Sequence, residues 1–174
     1  VGGADYRLPH TGMMVYEPGV TKIPAGALTS EDVQLISRLS KRGPVRMHLV
    51  LTPAQLPDVP SFNVVGELTG AQKPDEVVLV SGHLDSWDGA SGAIDNATGV
   101  AVTMEAARLL ALACRQAGVR PARSIRFMLW SGEEQGLLGS RYFAAHPTVP
   151  AGRIAANINY DGGNIWGRTK DVTY

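Results

Sequence analysis

The sequence predicts an α/β fold: a three-layer arrangement with a mixed β-sheet between helices, preceded by a piece of a second domain. Three observations support this. Short apolar runs typical of buried strands alternate with helical patterns, the longest running from Ala97 to Ala117. A proline-rich stretch at 53–61 separates two segments that differ in composition and pattern. Strands that alternate with helices are typical of layered α/β domains.

The segment before the linker predicts one helix and one strand. Thr29 provides a hydroxyl N-cap, and acidic residues follow in the first turn. Gly43 and Pro44 end the helix. The residues from Val45 to Leu51 alternate in polarity and predict a strand. We therefore divide the chain into residues 1–52, a linker at 53–61 and a larger domain at 62–174.

The larger domain predicts a regular succession of elements. Val77 to Val80 is apolar on both faces, as strands in the middle of a sheet are. Gly118 and Pro121 end the long helix. The predicted strands are 62–68, 76–81, 124–130 and 154–160, and the predicted helices are 97–117 and 134–145.

Composition excludes several classes of function. Of the 174 residues, 44% are apolar and 18% are charged, which suits a globular chain and not a disordered one. Sixteen basic and sixteen acidic residues balance, so no basic surface predicts a nucleic-acid partner. No apolar run approaches the ~20 residues of a membrane span. A single cysteine, Cys114, cannot form an internal disulfide.

Polar residues gather where the predicted strands end. His83 and Asp85 follow one strand, Glu133 and Glu134 follow the next, and Asp161 follows the last, while Asp95 stands just before the long helix. In open α/β sheets, ligands bind beside the carboxyl ends of the strands. We therefore expect one imidazole and five carboxylates to meet at one edge of the sheet.

A divalent metal would relieve the repulsion among these carboxylates. A nitrogen and oxygen ligand set without cysteine suits zinc, manganese or cobalt, and metal pairs ~3.5–4 Å apart occur in hydrolytic sites. If Glu134 binds metal, Glu133 can act as general base. Asp85 is placed to accept the other imidazole N–H of His83 and to set its tautomer.

Four motifs carry a resemblance to the M28 family of zinc aminopeptidases and carboxypeptidases. They are His83-Leu84-Asp85, the stretch 92–96, the stretch 133–140 and Asn159-Tyr160-Asp161. The segment 82–88 is especially similar to the carboxypeptidase Q branch. The likeness covers about residues 62–166, and residues 1–52 look similar to the end of a protease-associated domain.

The resemblance implies a role for each site residue. His83 and Asp161 would hold one zinc ion, Glu134 would hold a second, and Asp95 would bridge both. Glu133 would be the general base for a water bridging the two ions, and Asp85 would support His83. The peptide bond after Asp95 is often cis in this family. The implied reaction is hydrolysis of terminal peptide bonds in peptides or dipeptides.

One family feature is missing from the sequence. The fifth ligand in this family is a histidine well after the position of Asp161, and the chain has none there. We therefore expect a chain truncated at both ends, with an incomplete second zinc site and weak or no activity. Export to the periplasm or the exterior is expected by analogy, because relatives with a protease-associated domain are often secreted.

Simpler interpretations stay open. Asp95 could be only the N-cap of the long helix, and Glu133 and Glu134 could be acids favoured in a first helical turn. Two other classes of function also remain. One is a non-catalytic receptor or binding module that keeps the fold, and the other is a single-zinc acyltransferase of the glutaminyl cyclase kind.

Overall fold

The computed structural model describes residues 15–52, 54 and 56–162. The chain divides into two compact units, Val1–Val59 and Pro60–Tyr174. The division falls inside the stretch interpreted as a linker from the sequence. The parts of the sequence interpretation that concern residues 1–14 and 163–174 lie outside the described residues. That unit 1 is the end of a protease-associated domain stays a prediction.

Unit 1 contains the helix that the sequence predicts. Helix α1 spans Ser30–Ser40, and the hydroxyl of its N-cap Thr29 accepts a hydrogen bond from the backbone N–H of Asp32 at 3.1 Å. The predicted strand from Val45 to Leu51 is wrong, because these residues have no regular secondary structure. Alternating polarity favours an extended chain, but a strand forms only where a neighbouring strand pairs with its backbone.

Unit 2 is built on a four-stranded sheet in the order β1-β3-β2-β4. Strand β1 pairs antiparallel with β3, whereas β2 lies parallel to both β3 and β4. The sheet is therefore mixed. The elements are β1 Val64–Leu68, β2 Lys73–His83, α2 Ala97–Ala117, β3 Arg123–Trp130, α3 Leu138–Ala145, a short 3-10 helix Ala151–Arg153 and β4 Ile154–Asn159.

The connections place helices on both faces of this sheet. The chain leaves β2 through α2 to reach β3 on one side, then returns through α3 to β4 on the other side of β2. Because such crossovers between parallel strands are right-handed, two connections in opposite directions put their helices on opposite faces. The predicted α/β fold, a mixed sheet flanked by helices, is confirmed.

A small apolar core lies on one face of β2 and β3. Val77 and Leu79 on β2 alternate with half-buried neighbours, so their side chains share one face of the sheet. They pack with Met128 and Trp130 of β3 and with Val149. The ring of Trp130 also lies 5.5 Å from that of Phe143 on α3. The core thus fixes the strands whose carboxyl ends carry the polar motifs.

Helix α2 has the bounds that the sequence predicts, and Gly118 ends it in the left-handed conformation. By length and composition alone it could cross a membrane. It also contacts β2 and β3, and a Cβ added to Gly82 of β2 would lie 3.0 Å from the backbone of Gly99. This is how a covering helix of an α/β layer packs, and the absence of a membrane span stays a prediction.

Helix α3 begins later than predicted. The sequence predicts a start at Glu134, but the first helical residue is Leu138. The intervening residues form a turn in which Gly136 and Leu137 have positive φ angles of 107° and 61°. A left-handed residue cannot continue a right-handed helix, so Glu133 and Glu134 lie on a loop.

Candidate metal centre

The six polar residues singled out in the sequence gather at the carboxyl ends of the parallel strands. His83 is the last residue of β2, and Asp161 lies two residues beyond the end of β4. Glu133 and Glu134 follow β3 on the loop before α3, and Asp95 immediately precedes the N-cap of α2. The connections from β2 and β3 run in opposite directions here, and such a point in an open sheet is where ligands bind.

His83 is the centre of this group. Its side chain is only 2% exposed. Its Nε2 atom lies 3.0 Å from Oδ1 of Asp95 and 3.3 Å from Oδ1 of Asp161. Its Nδ1 atom lies 2.9 Å from the backbone carbonyl oxygen of Asp85. Because a carbonyl can only accept, Nδ1 carries a proton, and Nε2 faces the two carboxylates, where it can offer a lone pair to a metal ion or carry a second proton.

This arrangement needs a cation. A lone pair facing two carboxylate oxygens is repulsive unless a proton or a metal ion lies between them. Ligand atoms that share a tetrahedral zinc at about 2.0–2.2 Å lie about 3.4 Å from one another, close to the distances that Nε2 makes. The carboxylates of Asp95 and Asp161 are 54% and 37% exposed, so the group opens toward solvent on their side. The donor set therefore fits zinc.

A second triad involves the loop after β3. Ligand atoms of His83, Glu133 and Glu134 also lie within 4.8 Å of one another. The Oε1 atom of Glu134 is buried and has no hydrogen-bond partner. Since buried polar atoms are rarely left unpaired, this oxygen is available to a metal ion. The neighbouring Glu133 remains beside it with a partly accessible carboxylate.

Asp85 acts differently from the sequence expectation. Its carboxylate was expected to accept the imidazole N–H, but Oδ1 lies 3.6 Å from Nδ1 of His83. Instead, Oδ1 and Oδ2 accept hydrogen bonds from the backbone N–H groups of Glu133 and Glu134 at 2.9 and 3.1 Å. The two backbone amides occupy the carboxylate of Asp85, and the imidazole of His83 donates to the backbone carbonyl of Asp85 instead. Asp85 thus joins the His83 strand to the Glu133 loop.

Asn96, which is 1% exposed, is a further residue of the site that was not predicted from the sequence. Its Oδ1 accepts from the N–H of Gly99 at 3.0 Å, and its Nδ2 donates to the carbonyl of Tyr160 at 2.9 Å. Asn96, and not Asp95, is therefore the N-cap of α2. The bond between Asp95 and Asn96 is cis, as the family resemblance implies. The sequence signals at Asn96 are its place at the start of a helix and at the end of the 92–96 motif.

The electrostatics of the group favour protonation when no metal is bound. Burial opposes a charge on His83, but the carboxylates of Asp161 and Glu133 outweigh it and raise the imidazole pKa above its usual 6.5. Burial raises the pKa of Glu133, with the charge of Asp161 adding to it against the opposing effect of His83. Burial, followed by the charge of Asp95, raises the pKa of Glu134.

These shifts predict how the stability of the metal-free chain depends on pH. A group whose pKa is higher in the folded chain than in the unfolded chain stabilises the fold at pH values below its unfolded pKa. This stabilisation is lost as the pH rises through the pKa that the group has in the folded chain. For Glu133 and Glu134 that loss begins above pH 4.5, and for His83 above pH 6.5. We expect the unfolding temperature of unit 2 in a chelator to fall from pH 4.5 to 8.

Zinc should reverse this trend, because a metal ion competes with protons for the same ligands. The difference in unfolding temperature between zinc-loaded and metal-free chain should therefore increase with pH. Circular dichroism melts at half-unit pH steps would measure it. A metal-free melting temperature that rises across this range would contradict the electrostatic picture.

Known proteins share this fold. Carboxypeptidase Q from Mus musculus is 46% identical over 140 residues, which are 79% of this chain and 29% of the mouse protein. A peptidase M28 precursor from Shewanella amazonensis matches at a TM-score of 0.73 and 36% identity, covering 89% of this chain and 34% of that chain. A zinc aminopeptidase from Bacillus subtilis matches at a TM-score of 0.50 and 32% identity, over 57% of this chain and 24% of that chain.

The family assignment rests on the segment that contains the site. The chain spans under a third of the mouse protein, so the comparison concerns this part alone. Residues 63–174 match the model of peptidase family M28. That segment includes every residue of the group around His83 and the whole of the sheet. The chain belongs to peptidase family M28.

Proposed function

We propose that this chain forms the metal-binding part of a zinc-dependent exopeptidase that hydrolyses terminal peptide bonds of peptides or dipeptides. The observation that carries the proposal is the approach of His83 Nε2 to Asp95 and Asp161, beside the paired glutamates of the next loop. Relatives named as a carboxypeptidase and as a zinc aminopeptidase support the exopeptidase class.

The proposed ligand assignment uses the whole first triad and only Glu134 from the second. His83, Asp95 and Asp161 would hold one zinc ion. Asp95 would also hold a second ion together with Glu134, whose buried Oε1 atom has no hydrogen-bond partner. When bound, zinc would polarise the scissile carbonyl and lower the pKa of the attacking water. The half-exposed Asp95 would face the substrate side.

Glu133 is the proposed general base. Its backbone is held by Asp85, while its side chain stays free of any ion pair with lysine or arginine among the described residues. Burial raises its pKa, which makes the carboxylate a better proton acceptor than an ordinary surface glutamate. A base of this kind accepts a proton from water and later delivers it to the leaving amine.

A one-metal site is the second candidate, and one observation favours it. Among the described residues, both possible metal triads use His83. Nδ1 of His83 donates to the backbone carbonyl of Asp85, so only Nε2 is free to bind metal. His83 can therefore complete only one of the two triads. With three protein ligands and an open position, His83, Asp95 and Asp161 alone would already match a catalytic single-zinc site.

Zinc content per chain tests both candidates. The wild-type chain and Glu134→Ala would be loaded with zinc, freed of excess ions and measured by elemental analysis. Glu105→Ala is a matched control, because that exposed glutamate on α2 pairs with Arg108 away from the site. We expect two ions in the wild type and the control, and one in Glu134→Ala.

The other outcomes are equally informative. One ion in all three proteins would favour the single-zinc site. No bound ion in any of them would contradict the hydrolase proposal and favour a binding module that keeps the fold without the metals.

A further inference from the structure

The side-chain amide of Asn63 joins the two ends of the loop that carries Glu133 and Glu134. Its Oδ1 accepts from the backbone N–H of Ser131 at 3.1 Å, and its Nδ2 donates to the backbone carbonyl of Gly139 at 2.9 Å. Asn63 immediately precedes β1, which pairs antiparallel with β3. The contact is therefore tertiary, and no spacing in the sequence points to it.

The loop between these ends closes on itself. The N–H of Gly139 donates to the carbonyl of Ser131 at 2.8 Å, and the N–H of Leu138 donates to the carbonyl of Gly132 at 2.9 Å. The Asn63 amide lies against this closure as an extra peptide group would. It hydrogen-bonds to the carbonyl of Gly139 and to the N–H of Ser131, two groups that take no part in the backbone hydrogen bonds that close the loop.

The loop needs such support because Leu137 has an unfavourable backbone conformation. Gly132, Gly136 and Leu137 have φ angles of 66°, 107° and 61°. A left-handed conformation is costly for leucine, whose Cβ approaches the following carbonyl. Residues of this kind persist only where surrounding contacts hold them. Asp85 provides those contacts on the His83 side, and Asn63 provides them on the β1 side.

The fit between the amide and the loop is tight. A Cβ added to Gly139 would lie 2.2 Å from Oδ1 of Asn63 and 2.6 Å from the carbonyl oxygen of Ser131. Such distances are far below van der Waals contact. The Asn63 amide can therefore lie against the loop in this place only because residue 139 is glycine.

We propose that Asn63 is a positioning residue that sets the place of Glu133 and Glu134 relative to His83. It touches no reacting atom and acts through the backbone of the loop. The inference rests on the proposed function for its meaning in catalysis. The loop geometry itself is independent of that function and can be tested separately.

The test compares Asn63→Ala and Asn63→Asp with Ser124→Ala. Ser124 is a matched control because its hydroxyl also links two backbone groups, the N–H of Gly70 at 3.0 Å and the carbonyl of Pro74 at 2.7 Å. It lies near the opposite end of β3, so its loss weakens the unit without touching the loop. Asn63→Asp keeps an acceptor for Ser131 but loses the donor to Gly139.

Two quantities would be measured on the full chain: amide hydrogen exchange across residues 131–139 without metal, and zinc affinity by calorimetry. We expect exchange in Asn63→Ala to be at least roughly tenfold faster, because the variant loses both hydrogen bonds of the Asn63 amide. We expect zinc affinity to fall at least roughly tenfold, as for other residues that orient metal ligands. Asn63→Asp should loosen the Gly139 end most, and Ser124→Ala should change neither quantity beyond about twofold.

The two proposals fail in different ways. Unchanged loop exchange in both Asn63 variants would overturn the positioning role, whatever the zinc result. If exchange is faster in the Asn63 variants but the wild-type chain binds no zinc, the effect of Asn63 on the loop would stand and the proposed function would be overturned. Equal losses of zinc affinity in Asn63→Ala and Ser124→Ala would show a general loss of stability and overturn the positioning role.

Discussion

Glu133→Gln is expected to lower the rate of peptide hydrolysis by about 10²–10⁴-fold, the usual contribution of a positioned general base. Glutamine has the same shape as glutamate but cannot accept a proton at neutral pH. The backbone N–H of Glu133, which donates to Asp85, is unchanged by the substitution. Zinc binding should therefore stay within about threefold of the wild type, since the proposed ligands are all present.

The measurement is hydrolysis of dipeptides and aminoacyl anilides by zinc-loaded chains, each variant compared with wild type of the same length. Glu134→Gln is the companion variant, because the same substitution one residue later should remove a metal ligand. It should lose zinc as well as activity. A Glu133→Gln chain that keeps the wild-type rate would remove Glu133 from the mechanism.

Gly99→Ala is expected to destabilise unit 2 by about 3 kcal/mol, the upper part of the usual range for overpacking a buried site. A Cβ at Gly99 would lie 2.2 Å from Oδ1 of Asn96 and 2.4 Å from the carbonyl oxygen of Tyr160. The second contact is with backbone, so no rotation of a side chain relieves it. Relaxation would separate α2 from the end of β4, and with them Asp95 from Asp161.

Urea unfolding of the metal-free chain would measure this change. Gly66→Ala is the control, because a Cβ at Gly66 meets nothing within 4 Å. It should change the free energy of unfolding by less than about 0.5 kcal/mol, as exposed substitutions usually do. Equal effects of the two substitutions would show that the junction of α2 with β4 is not tightly packed.

The sequence predicts the sheet and α2 well because their signals are local. The apolar run around Val77 marks a buried strand, and Ala97 to Ala117 is long and ends in glycine. The predictions of a strand from Val45 to Leu51 and of the start of α3 are wrong because these features do not depend on local signals alone. Strand formation depends on a distant partner, and the start of α3 depends on the positive φ of Leu137, which sequence patterns do not reveal.

The six site residues could be singled out because each stands at a strand or helix end, where ligands gather in α/β sheets. Their partners could not be found in this way. Asn63 and Asn96 are single buried or half-buried amides whose hydrogen bonds join segments far apart in the chain. Whether the carboxylate of Asp85 accepts from an imidazole or from two backbone amides likewise depends on distances that only the fold determines.

The metal site around His83 is tested most directly by a crystal structure of the zinc-loaded chain, with diffraction measured on both sides of the zinc absorption edge. We expect an anomalous peak within about 2.2 Å of Nε2 of His83 and of carboxylate oxygens of Asp95 and Asp161. A second peak beside Glu134 would establish the two-metal site. Zinc bound elsewhere, with Nε2 of His83 still facing the two carboxylates directly, would contradict the proposed metal site.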